Sequence, residues 1–225
     1  MNLYQHHSDR ELVTVLEQSE KLTYEAQLQL LKELAHRNAD IDQTALEQQI
    51  AATELAIADM AYLKDLGFTY SEDASTGRME LRRALVAKVM DVVSIVIGTV
   101  LFALGLVYFW MLLSMFFGDN QFSLGKLIGH GIMVLAGLIG FKMLSGIHRF
   151  LDYRNFSVVK TGTTIALNSS ANDKELHFTS EDVHTHLEDD LLLLKVKEVE
   201  ILRASAKNLV QKMTVEELER KMKTN

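Results

Sequence analysis

The stretch "DVVSIVIGTVLFALGLVYFWMLLSMFFGDNQFSLGKLIGHGIMVLAGLIGFKML", residues 91–144, decides the fold because nearly all of it is apolar. Its formally charged residues are Asp91, Asp119, Lys126 and Lys142. The 27 residues between Asp91 and Asp119 carry no charge. As an α-helix they would extend over roughly 40 Å, whereas the hydrocarbon core of a bilayer is about 30 Å thick. This pattern predicts a first transmembrane helix at about 92–117.

A second apolar run, from Leu127 to Phe141, has 15 residues and would reach only about 22 Å as a helix. Lys126 and Lys142 flank it, and long basic side chains can lie along an apolar helix and lift their charge to the interface. We therefore predict a second transmembrane helix at about 124–147, with an outer loop at 118–123. The alternative is a buried hairpin of a soluble protein, which the length of the first run disfavours.

Apart from Lys126, the Lys and Arg residues near this hairpin lie on one side of it. They are absent from the connecting "GDNQFS" and occur before and after the two helices: Arg78, Arg82, Arg83 and Lys88, then Lys142, Arg149, Arg154 and Lys160. Because Lys and Arg are retained on the cytoplasmic side, we expect both termini to be cytoplasmic. The aromatic cluster toward the other end is typical of an outer interface: Tyr108, Phe109, Trp110, Phe116, Phe117 and Phe122.

Composition narrows the function classes. The chain has 225 residues, a formal net charge of -7, no Cys and no Pro. The acidic balance argues against nucleic acid as a partner. The lack of Cys excludes disulfides, thiolate metal sites and a cysteine nucleophile. We predict no cofactor and no metal.

Small residues line one face of each apolar helix. At about 100° per residue, Gly98 and Gly105 share a face of the first, and Gly125, Gly129, Ala136 and Gly140 share a face of the second. Small faces allow membrane helices to approach closely. The two faces can pack on each other within one chain, or one of them, notably "GKLIG" with its GxxxG spacing, can bind a second copy or another protein.

Four ionisable residues are predicted to lie near the membrane interfaces: Asp91, Lys126, His130 and Lys142. Asp91 could pair with Lys88 one turn back or with Lys142 across the hairpin. Since none lies mid-span, anchoring and topology explain them, and an ion or proton pathway would require several copies.

Residues 1–66 are predicted to form a cytoplasmic helical module. Ser8 and Glu11 form a capping box, Thr23 can cap a second helix, and a third is expected at about 42–66, packed on the first two or forming a coiled coil with another subunit. The "SDREL" and "LTYEA" patterns of this hairpin resemble those of uncharacterised small bacterial membrane proteins with paired transmembrane helices. The resemblance implies a multi-pass protein of the bacterial inner (cytoplasmic) membrane.

The flanks of the apolar hairpin show a strand-like pattern. Residues 67–88 predict a juxtamembrane β-hairpin or linker, 89–148 the transmembrane hairpin, and 149–225 a cytoplasmic β-rich module ending in a helix with Thr214 and Glu217 as its capping box. This layout resembles a small PH-like domain, although it is shorter. The segment 191–213 also fits one long amphipathic helix, so both interpretations stay open. The fold class is therefore a membrane α-helical hairpin with a helical N-terminal module and a small α+β C-terminal module.

No sequence motif predicts catalysis. His184 and His186 would share one face of a strand, but no second spaced pair of ligands accompanies them. No P-loop, dinucleotide-binding or nucleophile-elbow pattern occurs. We predict a non-enzymatic scaffold that recruits proteins at the cytoplasmic face, with the lipid bilayer as one partner and a second copy or a protein partner as another. The alternative is a small accessory subunit of a transporter or channel.

Overall fold

The computed structural model describes residues 3–37, 41–73, 75–117, 123–169 and 172–224. The predicted outer loop at 118–123 lies, apart from Ser123, outside the described residues. Along the chain, the helices are α1 (Asp9–Glu17), α2 (Tyr24–His36), α3 (Thr44–Ala58), α4 (Leu85–Phe117), α5 (Leu124–Leu144), α6 (Gly146–Tyr153) and α7 (Leu209–Lys223).

The described residues form eight strands in two sheets. One has the order β1 (Phe68–Asp73), β2 (Arg78–Arg83), β3 (Ser157–Thr161), β4 (Thr164–Ser169) and β5 (Asn172–Thr179). The other has the order β6 (Val183–Glu188), β7 (Leu191–Val196) and β8 (Val199–Ser205), antiparallel throughout.

The described chain divides into two compact units. The core unit contains the described residues of 1–66, 160–165 and 178–225, and the hairpin unit those of 67–159 and 166–177. The core unit therefore combines α1, α2 and α3 with the three-stranded sheet and α7. Within it, α7 packs against α2, α3 and the strands of that sheet.

The core unit buries leucines from elements that are distant in sequence. Leu12, Leu30 and Leu34 of α1 and α2 are at most 1% exposed, and Leu46 of α3 is fully buried with them. Leu194 of β7 belongs to a further buried set shared with β6, β8 and α7: Val183, Val196, Ile201, Leu202, Val215 and Leu218. Burial of this kind is the main stabilising term of a water-soluble fold.

Local signals in the sequence placed several elements. The Ser8 hydroxyl oxygen accepts a hydrogen bond from the backbone N–H of Glu11, and the Glu11 carboxylate accepts one from the backbone N–H of Ser8. The predicted capping box is therefore confirmed. Thr23 caps α2 as predicted. The β1–β2 hairpin is confirmed, with Phe68 opposite Arg83 and Asp73 opposite Arg78. The strand interpretation of the segment from Leu191 is confirmed through Ser205, and the single long helix is not formed.

Two helix predictions were wrong. The third helix was expected to continue to about Leu66, but α3 ends at Ala58, because Met60 takes a left-handed conformation (φ 59°) before a short 3-10 turn at Ala61–Lys64. The last helix was expected to begin at Thr214, but α7 begins at Leu209 under an Asn208 cap. Thr214 is fully buried inside α7, where its hydroxyl donates to the carbonyl of Val210.

Candidate functional site

The helices α4 and α5 form an apolar antiparallel hairpin whose contact is made by glycines. A Cβ on Gly105 would overlap the Cα of Gly137, and a Cβ on Gly98 would lie 2.9 Å from the carbonyl oxygen of Gly140. All four glycines are buried, although most of the surrounding apolar side chains are not. Any side chain at these positions would push the two backbones apart, as expected of small-residue packing.

The small residues of α5 do not all take part in this contact. Gly140 lies in it, and Ala136 is half-buried. Gly125 and Gly129 are exposed, and a Cβ on Gly129 would meet nothing within 4 Å. The residue that the helical-face pattern missed is Gly137. It lies beside Ala136, and the sequence signal that could have found it is its spacing of three residues from Gly140, which puts both glycines on one side of the helix.

A buried ion pair lies at the base of the hairpin. Nη2 of Arg83, at the end of β2, donates to the carboxylate of Asp91 in the second turn of α4 over 3.0 Å. Their side chains are 4% and 8% exposed. The structure thus pairs Asp91 with Arg83, which was not among the two partners expected from the sequence, Lys88 and Lys142.

Aromatic rings and a glycine enclose this pair. The Arg83 guanidinium carbon lies 5.4 Å from the ring centre of Phe68 and 5.3 Å from that of Tyr153. Phe156 packs edge-on against both rings. Gly67 has φ +84°, and a Cβ there would lie 2.5 Å from Nη1 of Arg83, so the guanidinium occupies the space that a side chain would need. Cation–π contact and exclusion of water strengthen the interaction between the two charges.

The other predicted interface charges are not brought together. Lys126 and Lys142 are exposed. His130 is half-buried and its ring centre lies 5.5 Å from that of Tyr108 on α4. The Nδ1 atom of His130 is buried without a hydrogen-bond partner among the described residues.

The core unit carries a groove of about 440 Å³ at the beginnings of α2 and α7. Its walls combine two tyrosines, two carboxylates, one lysine and the first turns of both helices: Thr23, Tyr24, Glu25, Tyr62, Asp65, Lys207, Asn208, Leu209, Val210 and Gln211. The Tyr24 hydroxyl lies 3.3 Å from a carboxylate oxygen of Glu54. Burial, and then the Glu54 charge, raise the pKa of Tyr24 above its ordinary value, so Tyr24 acts as a neutral hydrogen-bond donor.

The described residues that line the groove include no histidine. Lys207 forms an ion pair with Asp190 over 2.5 Å, both largely exposed. Across the described ranges, no three His, Asp or Glu side chains converge as metal ligands, and His184 and His186 are exposed on β6. The chemistry offered by the groove is that of a binding surface with hydrogen-bonding and apolar parts.

The chain matches no family model, no curated protein and no solved structure.

Proposed function

We propose that the chain is an integral protein of the bacterial inner membrane that crosses it twice through α4 and α5, with both termini in the cytoplasm, and that it recruits proteins there without catalysing a reaction. The observation that carries the membrane part is the outward direction of the apolar side chains. In α4, and in the span Leu124–Tyr153 that contains α5 and α6, only 11% of the most apolar window is buried within the molecule. Both spans are long and apolar enough to cross a bilayer.

Water would be a costly surrounding for this hairpin. Nearly all exposed large apolar side chains of the described residues lie on α4 and α5, the others being Leu3, Leu55, Leu151, Leu187 and Leu191. Each large apolar side chain gains roughly 1.5–3 kcal/mol when it leaves water. A lipid surrounding provides this gain without any protein partner, and it leaves the glycine contact to hold the helices together.

The membrane part is tested by fractionation and labelling. We expect the protein to stay in the membrane pellet after an alkaline carbonate wash. Because the chain has no Cys, single variants Leu3→Cys and Leu187→Cys can report sidedness. Both side chains are 60% exposed, and we expect a membrane-impermeant maleimide to label them only after spheroplasts are opened. Extraction by carbonate would contradict the membrane proposal, and labelling in intact spheroplasts would contradict the orientation.

The recruiting part is supported by the groove of the core unit, whose walls combine apolar and hydrogen-bonding side chains. A photo-crosslinking residue at Tyr62 should capture a defined protein in cells, whereas the same residue at Leu55, which is 64% exposed and outside the groove, should not. Capture of the same proteins at both positions would contradict a specific groove. Deleting residues 1–66 is a less sharp test, because α2 and α3 share an apolar core with α7.

The accessory-subunit alternative is supported by one observation, the buried Nδ1 of His130 beside Tyr108. A transport role predicts that His130→Ala together with Lys126→Ala abolishes the associated ion or solute flux and leaves groove crosslinking unchanged. A recruiting role predicts that the double variant changes neither a flux nor the crosslinking at the groove.

A further inference from the structure

The outward apolar surface of α4 begins two turns before the charge-free run. Leu85 and Val86 are 75% and 74% exposed, and Val89 and Met90 are 51% and 58% exposed. In a protein surrounded only by water, four neighbouring large apolar side chains at this exposure would form an unusual patch.

The opposite side of the same two turns carries the two charged residues, Lys88 and Asp91, together with Ala87. Ala87 and Lys88 are half-buried, and Asp91 is buried against Arg83. At about 100° per residue, Leu85, Val86, Val89 and Met90 occupy an arc of roughly 140° that excludes these three. The outward arc of the base is therefore free of charge even though an ion pair lies behind it.

This arc continues into the rest of α4 without a break. Val93, Val96 and Val100 lie on the same arc and are 42%, 57% and 54% exposed. The helix has 33 residues and is thus roughly 50 Å long. That exceeds a hydrocarbon core of about 30 Å, but a tilt of about 25° fits it within the roughly 45 Å of a bilayer with its headgroups.

We propose that the membrane-embedded surface of this protein begins at Leu85, so that the first two turns of α4 lie in the cytoplasmic interface of the bilayer and the Arg83–Asp91 ion pair lies below the membrane surface. This inference rests on the proposed membrane function and sharpens it. The occupant of the Leu85–Met90 arc is phospholipid, because the arc is continuous with the outward surface of the hairpin and has the same uncharged character.

The position of the ion pair is compatible with lipid because protein encloses it. Phe68, Tyr153 and Gly67 line the space around the guanidinium, and both charged side chains are less than a tenth exposed. Lipid therefore meets the apolar arc and not the charges. A charge facing acyl chains would otherwise oppose insertion at this depth.

The test uses single-cysteine variants of the full chain, labelled with an environment-sensitive fluorophore, at one protein per phospholipid nanodisc. Leu85→Cys and Val86→Cys report the proposed interface. Ile132→Cys, on α5 and 60% exposed, is the hydrocarbon reference. Leu187→Cys is the aqueous reference, an exposed leucine of the core unit that is matched to Leu85 in residue type.

We expect the labels at 85 and 86 to emit at wavelengths between the two references, and to be protected from an aqueous quencher relative to 187. Emission and quenching equal to those of the label at 187 would overturn the inference. The label at 132 tests the membrane function separately. If that label is embedded in lipid, the membrane function stands whatever the label at 85 shows. If the label at 132 is also in water, the membrane function itself fails. A blue shift at 85 that requires two proteins per disc would assign the arc to a second copy and overturn the lipid assignment.

Discussion

The core unit and the α4–α5 hairpin bury opposite kinds of residue. In the core unit, leucines such as Leu30 and Leu46 are fully buried. In the hairpin, glycines such as Gly105 and Gly137 are buried, while leucines such as Leu135 are 61% exposed. The same chain thus follows two packing rules.

The difference teaches what drives each region together. Removal of apolar area from water stabilises the core unit, so large side chains point inward. In lipid that drive disappears between helices, and close backbone approach replaces it, so the smallest residues point inward. The same substitution should therefore change the free energy of unfolding by different amounts in the two regions.

The largest effect is expected at the ion pair beneath the hairpin. Arg83→Ala leaves Asp91 buried without its guanidinium partner and should lower the free energy of unfolding by about 3–5 kcal/mol. Trp110, the single Trp of the chain, lies on α4 and reports unfolding of the hairpin by fluorescence.

Arg82→Ala is the matched control. Arg82 is 63% exposed and pairs with Glu80, so its loss should change the stability by about 0–1 kcal/mol. Equal effects of the two alanine variants would contradict a buried role of the Arg83–Asp91 pair.

The same substitution in the two regions tests the comparison directly. Leu30→Ala removes a fully buried side chain from the core unit and should cost about 2–5 kcal/mol. Leu135→Ala, on the outward side of α5, should change stability by less than about 0.5 kcal/mol in lipid. Far-UV circular dichroism during thermal unfolding in nanodiscs measures both. A large loss for Leu135→Ala would show that another surface packs on it.

Inside the hairpin, replacing a buried glycine by a large residue should destabilise the protein, whereas the same replacement at an exposed glycine should not. Gly105→Leu forces the Gly105–Gly137 contact apart and should cost about 1–3 kcal/mol. Gly129→Leu points into open space, so its effect on unfolding, followed by Trp110 fluorescence, should be small. If the two variants lose equal stability, the glycine contact does not hold the hairpin together.

The open positions Gly125 and Gly129 also permit a test of assembly. Detergent-corrected light scattering of the wild type and of the Gly125→Leu, Gly129→Leu pair gives the mass of each. Since these glycines are free of the intramolecular contact, an oligomer that the pair dissolves would assign them to a second copy. An unchanged mass would contradict the prediction that the "GKLIG" segment binds a second copy.

The smallest effect is expected at the tip of the β1–β2 hairpin. Hydrogen bonds from Ser75, chiefly its hydroxyl, and then from Thr76 hold the pKa of the Asp73 carboxyl at about 2. Because the pKa is lower in the folded state, the carboxylate stabilises the turn above about pH 4, its unfolded range, and this contribution is lost as the pH falls toward 2. Ser75→Ala should raise the pKa of Asp73, as followed by carboxyl NMR shifts; no change would contradict the assigned cause.

Short-range patterns in the sequence predicted much of the local structure. The Ser8–Glu11 capping box, the β1–β2 hairpin and the long apolar helices depend on residues only a few positions apart, so their signals are readable in one dimension. The C-terminal helix shows where this fails. Thr214 and Glu217 have the spacing of a capping box, but Asn208 begins the helix earlier and burial of Thr214 overrides the local signal.

The sequence by itself determined that two helices are long and apolar enough to cross a bilayer, because length and composition are local properties. Only the tertiary structure decided which small residues meet, that Arg83 is the partner of Asp91, and that α7 packs with α2 and α3 in one unit. The physical reason is that partners across a contact are chosen by three-dimensional fit and by the burial of charge and apolar area. Spacing along the chain records neither.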